Sequence, residues 1–213
     1  MGATPTYGFP YPELSDPADA NAAISALALA VENLLKGVTI GSYGTTLPAS
    51  PVSGQIAVLV DSTTNPTYQW MFRYNASSSS AYKWECIGGS RVLSEVLAQE
   101  AIVNSGFGGL TTPGPQIVVP RAGEYEMNYG ASTNMAGSQY GILTLKLGGN
   151  AIAASEHVYM YPPASPAEIS VSRTIKRTLL ASDTVLMQYS SSSGTITANF
   201  RNRFLALRPV RVS

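Results

Sequence analysis

The sequence predicts a mainly β protein: a short N-terminal arm and helix, a small β module, and a C-terminal antiparallel jelly-roll β-sandwich. Three observations carry this. Short apolar or alternating runs recur from Val38 onward between clusters of Gly, Pro and Ser. No stretch after that point shows helical periodicity. One segment ahead of it carries helix-start and helix-stop signals. The divisions fall at residues 1–16 (extended anchoring arm), 17–36 (helix, oligomerisation), 37–90 (β module) and 91–213 (sandwich head).

The arm reads Thr6-Tyr7-Gly8-Phe9-Pro10-Tyr11-Pro12. Proline fixes φ and pushes its predecessor into extended geometry, so an extended arm is expected, neither strand nor helix. Tyr7, Phe9 and Tyr11 cannot bury themselves within so short a segment and are the residues expected to dock on another surface. A loose leader is the alternative. Asp16 then stands as an N-cap, Pro17 suits the first helical position, and Gly37 supplies a stop. Ile24, Leu27, Val31 and Leu34 are spaced three, four and three, the a and d positions of a heptad. They form a seam for self-association in a short coiled coil, or the inward stripe of a helix packed on its own domain.

In the β module, Gln55–Asp61, Gln69–Tyr74 and Tyr82–Ile87 read as strands. Trp70, Tyr74 and Trp84 give this small module the large apolar area it needs, with sugar stacking the lesser alternative. In the head, strands are expected at 115–120, 123–129, 140–146, 169–180, 183–189, 195–200 and 204–212. Many short strands without intervening helices mean a sandwich, most economically a jelly roll. Alternation in Glu124-Tyr125-Glu126-Met127 sends the carboxylates to a wet face and the apolar groups inward.

Composition narrows the chemistry. Charged residues are only 12% of the chain, and 13 basic residues balance 13 acidic ones, so a polybasic nucleic-acid binder is not expected. No apolar run reaches the roughly 18 residues needed to cross a bilayer, so no membrane insertion is expected. The start, Met1-Gly2-Ala3-Thr4-Pro5, lacks the pattern of a secretory signal, which together with one unpaired Cys86 suggests folding in a cytoplasm. One His157 and one Cys86 leave little for a metal site, a disulfide framework or a His-dependent triad. The expectation is no enzyme, no cofactor and no metal. Ser155, Glu156 and His157 are adjacent without convergent geometry. Glu95 with Glu100, or Glu124 with Glu126, could be offered as glycosidase pairs, but any alternating strand spaces carboxylates by about 7 Å.

Binding is the stronger expectation. His157-Val158-Tyr159-Met160-Tyr161-Pro162-Pro163 reads as a loop whose Tyr159 and Tyr161 either stack on sugars or pack at a subunit interface. Residues 1–36 are net acidic and residues 91–213 net basic. Arg201, Arg203, Arg208 and Arg211 are expected mainly in structural pairs, with anionic cell-wall glycans as the alternative.

Three stretches carry a family likeness: Tyr7-Gly8-Phe9-Pro10-Tyr11-Pro12 with the helix after it; Leu47-Pro48-Ala49-Ser50-Pro51-Val52-Ser53-Gly54-Gln55 with Trp70, Arg73-Tyr74-Asn75, Tyr82-Lys83-Trp84-Glu85 and Gly88-Gly89; and Val119-Pro120-Arg121-Ala122-Gly123-Glu124-Tyr125 with Leu180-Ala181-Ser182-Asp183-Thr184-Val185 and Asn202–Pro209. In these the sequence resembles virion fibre and minor structural proteins of tailed bacteriophages, particularly of actinobacteria: minor tail proteins, head fibres or capsid decorations. The resemblance implies a homotrimer assembled in the bacterial cytoplasm, held to a capsid or tail protein by its N-terminus, with β domains projecting outward. Two functions are carried forward. The first is a non-enzymatic virion component that decorates the particle and aids host adsorption. The second is a carbohydrate-binding module acting on host cell-wall glycans.

Overall fold

The computed structural model describes residues 2–4, 9–11, 19–38, 40–135, 139–148, 150–151, 157–161 and 168–213. The chain divides into two compact units, Met1–Gly88 and Gly89–Ser213.

In the first unit, β1 (Gly2–Ala3) and β2 (Pro10–Tyr11) pair antiparallel. The Phe9 N–H donates to Thr4 Oγ1 at 2.9 Å, and the Thr4 N–H donates to the Phe9 carbonyl at 2.9 Å. The arm was expected to be extended and unpaired. Instead its two ends hydrogen-bond to each other, because an isolated extended strand leaves backbone groups without partners. Phe9 is half-buried, Tyr11 is exposed, and Tyr7 lies outside the described residues.

Helix α1 covers Ala20–Val38. Its cap is Asp19, whose Oδ1 accepts the Ala22 N–H at 2.9 Å while its carbonyl accepts the Ala23 N–H at 3.2 Å. Asp16 and Pro17, expected to play this part, lie outside the described residues. Along the heptad seam Val31 and Leu34 are half-buried, whereas Ile24 and Leu27 are 66% and 42% exposed. Leu29 and Leu35, off the seam, are exposed as well.

The sheet of this unit runs in the order β6 (Trp84–Gly89), β5 (Gln69–Tyr74), β4 (Ile56–Val60), β3 (Ile40–Gly44). Strand β3 pairs parallel to β4, with Ile40 opposite Ile56 and Tyr43 opposite Val58. Nothing in the glycine-broken run Ile40-Gly41-Ser42-Tyr43-Gly44 announces it. Trp70 and Trp84 are 0% and 4% exposed, so they are core side chains with no free face for a sugar. Trp70 stacks on Tyr68 at 4.2 Å between centroids and meets Phe72 edge-on at 6.3 Å.

The second unit is built from β7 (Val92–Val96), β8 (Glu100–Ile102), β9 (Gln116–Val118), β10 (Gly123–Met135), β11 (Gly141–Leu147), β12 (Asn150–Ala151), β13 (Val158–Met160), β14 (Glu168–Leu179), β15 (Thr184–Ser191) and β16 (Ala198–Val212). One sheet has the order β14-β10-β16, with β7 and β8 placed along the same side of β16. The other has the order β12-β11-β15-β9, with β13 also pairing β11. The chain passes from one sheet to the other between β8 and β9, β9 and β10, β10 and β11, β13 and β14, β14 and β15, and β15 and β16. That alternation is the double-sheet jelly roll. Inward residues of β10 (Tyr125, Met127, Tyr129), β11 (Leu143, Leu145), β15 (Val185, Met187, Tyr189) and β16 (Phe200, Leu205, Leu207) are all 0% exposed and fill the space between the sheets. Glu124 and Glu126 face outward, as the alternation requires.

Two expectations are corrected here. The segment around Tyr159 is not all loop, since Val158–Met160 is a strand. The runs 195–200 and 204–212, expected as separate strands, belong largely to one strand, Ala198–Val212, with a register shift opposite Gly130/Ser132 and Asn202 at φ 49°. Polar residues at 201–203 resemble a turn in sequence. They sit in a bulge that keeps the strand continuous.

Candidate functional site

The candidate site is an aromatic patch at the margin of the β11 sheet. Strand β13 pairs β11 with Gly141 opposite Met160, Ile142 opposite Tyr159 and Leu143 opposite Val158. Val158 and Met160 point into the core, at 5% and 0% exposed. Alternation therefore turns Tyr159 outward. Tyr159 and Tyr161 are 46% and 55% exposed, which is high for two large rings two positions apart.

Tyr140, the residue just before β11, joins them. Its ring lies 4.9 Å from Tyr161 and 5.8 Å from Tyr159, tilted at 44° and 57°. Gly141 next to it is required: a Cβ there would lie 2.9 Å from Phe200 Cζ in the core. The patch continues through His157, 6.4 Å from Tyr159, to Phe107, whose ring meets His157 edge-on at 4.6 Å. From β14, Arg173 Nη1 donates to the His157 carbonyl at 3.3 Å and ties this strand to the opposite sheet. The three tyrosines offer aromatic faces and phenol hydroxyls together, the combination that recognises a sugar's C–H face and its hydroxyl rim.

The sequence placed Tyr159 and Tyr161 in one segment with His157 but gave no sign of Tyr140 and Phe107 as their neighbours. Tyr140 stood at the start of an expected strand. The β11–β13 register that brings it alongside has no local signal. Ser155 and Glu156 lie outside the described residues.

Of the carboxylates considered in sequence, Glu100 and Glu124 are engaged elsewhere, as is Glu168. Glu124 pairs with Arg211 at 3.0 Å, and Glu100 faces Arg203 at 3.5 Å. Glu168 accepts Nε of Arg201 at 2.8 Å and also pairs with its Nη2; the Arg201 hydrogen bonds hold the Glu168 carboxyl below its usual range. Arg201, Arg203 and Arg211 are thus structural partners. Glu126 sits in register between Lys176 and Arg208. Among the described residues no group of three His, Cys, Asp or Glu side chains could hold a metal ion.

No protein-family model and no curated protein matches the chain. Solved structures similar to it include Eiger TNF from S. frugiperda, at 8% identity and a TM-score of 0.41 over 58% of this chain and 94% of that one. A family 35 carbohydrate binding module from Clostridium thermocellum is similar at 14% identity and a TM-score of 0.35, over 56% of this chain and 98% of that one. The globular domain of zebrafish complement 1qA protein is similar at 14% identity and a TM-score of 0.33, over 58% and 97%.

Proposed function

We propose that the chain is a non-enzymatic recognition component of a bacteriophage virion: a homotrimeric fibre attached through its N-terminus, whose jelly-roll head meets a cell-wall glycan of the host through Tyr140, Tyr159 and Tyr161. The observation that carries this reading is the cluster of three tyrosines, two of them about half exposed, held in register by the β11–β13 pairing. Exposed aromatic groups on a rigid strand are costly to keep wet unless something stacks on them. Attachment to a capsid or tail protein is taken from the resemblance of the N-terminal segment.

On a glycan array the intact protein is expected to bind host cell-wall polysaccharide, and Tyr159→Ala with Tyr161→Ala is expected to weaken that binding about 5- to 150-fold, since each lost stacking contact is worth about 0.5–1.5 kcal/mol. Unchanged binding by the double variant would refute the assignment of these rings. In the second reading the same tyrosines are buried between subunits, and the protein decorates the particle without touching the host. Loss of the oligomer, rather than of glycan binding, in the double variant would favour it.

The trimer is supported by the exposed apolar residues of α1. Ile24, Leu27, Leu29 and Leu35 are each more than 40% exposed on a helix that is marginal in isolation, so neighbouring copies of α1 are the natural cover. Light scattering is expected to give three times the chain mass of 22.4 kDa. Ile24→Asp with Leu27→Asp is expected to release monomers with the β units still folded. A wild-type monomer at micromolar concentration would contradict the trimer.

A further inference from the structure

On the outer face of the other sheet, away from the tyrosines in strand order, the structure carries a groove of about 460 Å³ across β14, β10, β16 and β7. That volume is in the range of small-ligand sites. Its construction begins at Gly130, which pairs with Ser172 on one side and with Phe204 on the other, while Phe204 pairs in turn with Glu95. A Cβ at residue 130 would lie 2.8 Å from Phe204 Cε1 and 2.5 Å from the Val171 carbonyl oxygen. The Phe204 ring therefore occupies the space over the glycine, laid along the sheet where other outward side chains stand up from it.

Ser132 and Ser170, sharing a 2.7 Å hydrogen bond, keep the next row low and polar. The bulge at Asn202, with φ 49°, places that residue at the rim, and its N–H donates to the Leu97 carbonyl at 3.3 Å.

The polar groups that line this groove differ from those around it. Glu100, Glu124 and Glu168 each face an arginine. Glu95 has no ion-pair partner among the described residues, and the side chains of Asn202 and Ser172 have no hydrogen-bond partner there either. A carboxylate, an amide and a hydroxyl around one aromatic ring, over a floor of small side chains, match a pyranose. Its C–H face fits the ring and its hydroxyls fit the polar groups. We infer that this groove is a second, independent sugar-binding site, taking one pyranose unit of a neutral sugar or amino sugar, with Phe204 as the stacking platform and Glu95, Asn202 and Ser172 as the hydroxyl readers.

This inference deepens the glycan-recognition reading but uses none of its tyrosines. The test is saturation-transfer NMR on the full chain with free glucose, galactose, mannose, rhamnose, N-acetylglucosamine and glucosamine. At least one is expected to receive saturation, strongest on the protons of its C–H face. Ser172→Trp fills the groove from an exposed position and is expected to abolish the transfer that remains in Tyr159→Ala with Tyr161→Ala. Glu95→Gln is expected to weaken affinity about tenfold, the cost of one charge-assisted hydrogen bond. Both variants should keep the wild-type circular dichroism spectrum, and Tyr159→Ala with Tyr161→Ala should leave monosaccharide transfer intact.

No transfer to any of the six sugars, or transfer that persists when Ser172→Trp is added to Tyr159→Ala with Tyr161→Ala, would overturn the groove. If at the same time the polysaccharide binding of the array still depended on the tyrosines, the recognition reading would stand without it. Conversely, groove-dependent transfer with tyrosine-independent array binding would uphold the groove and overturn the patch.

Discussion

Glu100→Ala is expected to destabilise the second unit by about 3–5 kcal/mol, the usual cost of stranding a buried charge. Arg203 is 0% exposed and points between the sheets from β16. Glu100 Oε2 lies 3.5 Å from its Nη2 and is the anion facing it. The Thr112 and Gly114 carbonyls accept from Nη1 at 3.5 and 3.4 Å, and the Tyr189 ring lies 5.5 Å from the guanidinium carbon. Nε and Nη2 have no hydrogen-bond partner, so the arginine is already short of compensation before the carboxylate is removed.

Replacing both charges, as Glu100→Leu with Arg203→Met, is expected to recover most of the loss, because a packed apolar pair needs no desolvation. Urea unfolding of the two single variants and the double variant would measure this as a coupling energy. Equal losses in Glu100→Leu and the double variant would show that the ion pair does not hold this end of the sandwich.

The same pair sets an acid limit. Burial pushes the Glu100 carboxyl up, but hydrogen bonds from the Thr112 side chain and backbone, with Arg203 beside it, outweigh that and hold it below its ordinary value of 4.5. A group depressed in the folded state contributes its full stability above the unfolded value and loses it as pH falls through the folded one. The stability gap between wild type and Glu100→Gln is therefore expected to be constant near neutrality and to close below pH 4.5.

Trp70→Ala is the second large effect, with an expected loss of about 3–5 kcal/mol in the first unit. The indole is completely buried, stacked on Tyr68 and edge-on to Phe72, so truncation removes those contacts and leaves a cavity in the core. Both tryptophans of the chain, Trp70 and Trp84, belong to this unit, so the emission of Trp84 reports its unfolding in the variant. With a urea dependence of about 1–3 kcal/mol per molar, the midpoint should fall by more than about 1 M. A shift too small to measure would mean that Trp70 is not the centre of this core.

What the sequence made legible is what depends on neighbours along the chain. Period-two alternation located Tyr125, Met127 and Tyr129 on the inner face of β10, and the punctuation around Gln69–Tyr74 bounded β5. The 3.6-residue pattern marked the helix, but Gly37, expected as its stop, lies inside it, since α1 runs on to Val38. What it hid depends on partners far away in sequence. Strand β3 exists because a parallel neighbour supplies its hydrogen bonds. Asn202-Arg203 stays inside a strand because Gly130 and Ala131 leave room for a bulge opposite. Arg203 looks like a surface cation until Glu100 and Tyr189, from two other strands, enclose it. Tyr140 belongs with Tyr159 and Tyr161 only through the register of β11 and β13. Phe204 reads as ordinary core, and the glycine that lays its ring along the outer sheet is paired with it from 74 positions away.

The glycan contact is tested most directly by carbon-13 labelling of the 12 tyrosines and titration with host cell-wall polysaccharide. The expected result is that ring signals of Tyr140, Tyr159 and Tyr161 shift together and saturate together, while those of the buried Tyr125, Tyr129 and Tyr189 stay in place. Saturable binding of the polysaccharide with the three patch signals unmoved would contradict the assignment.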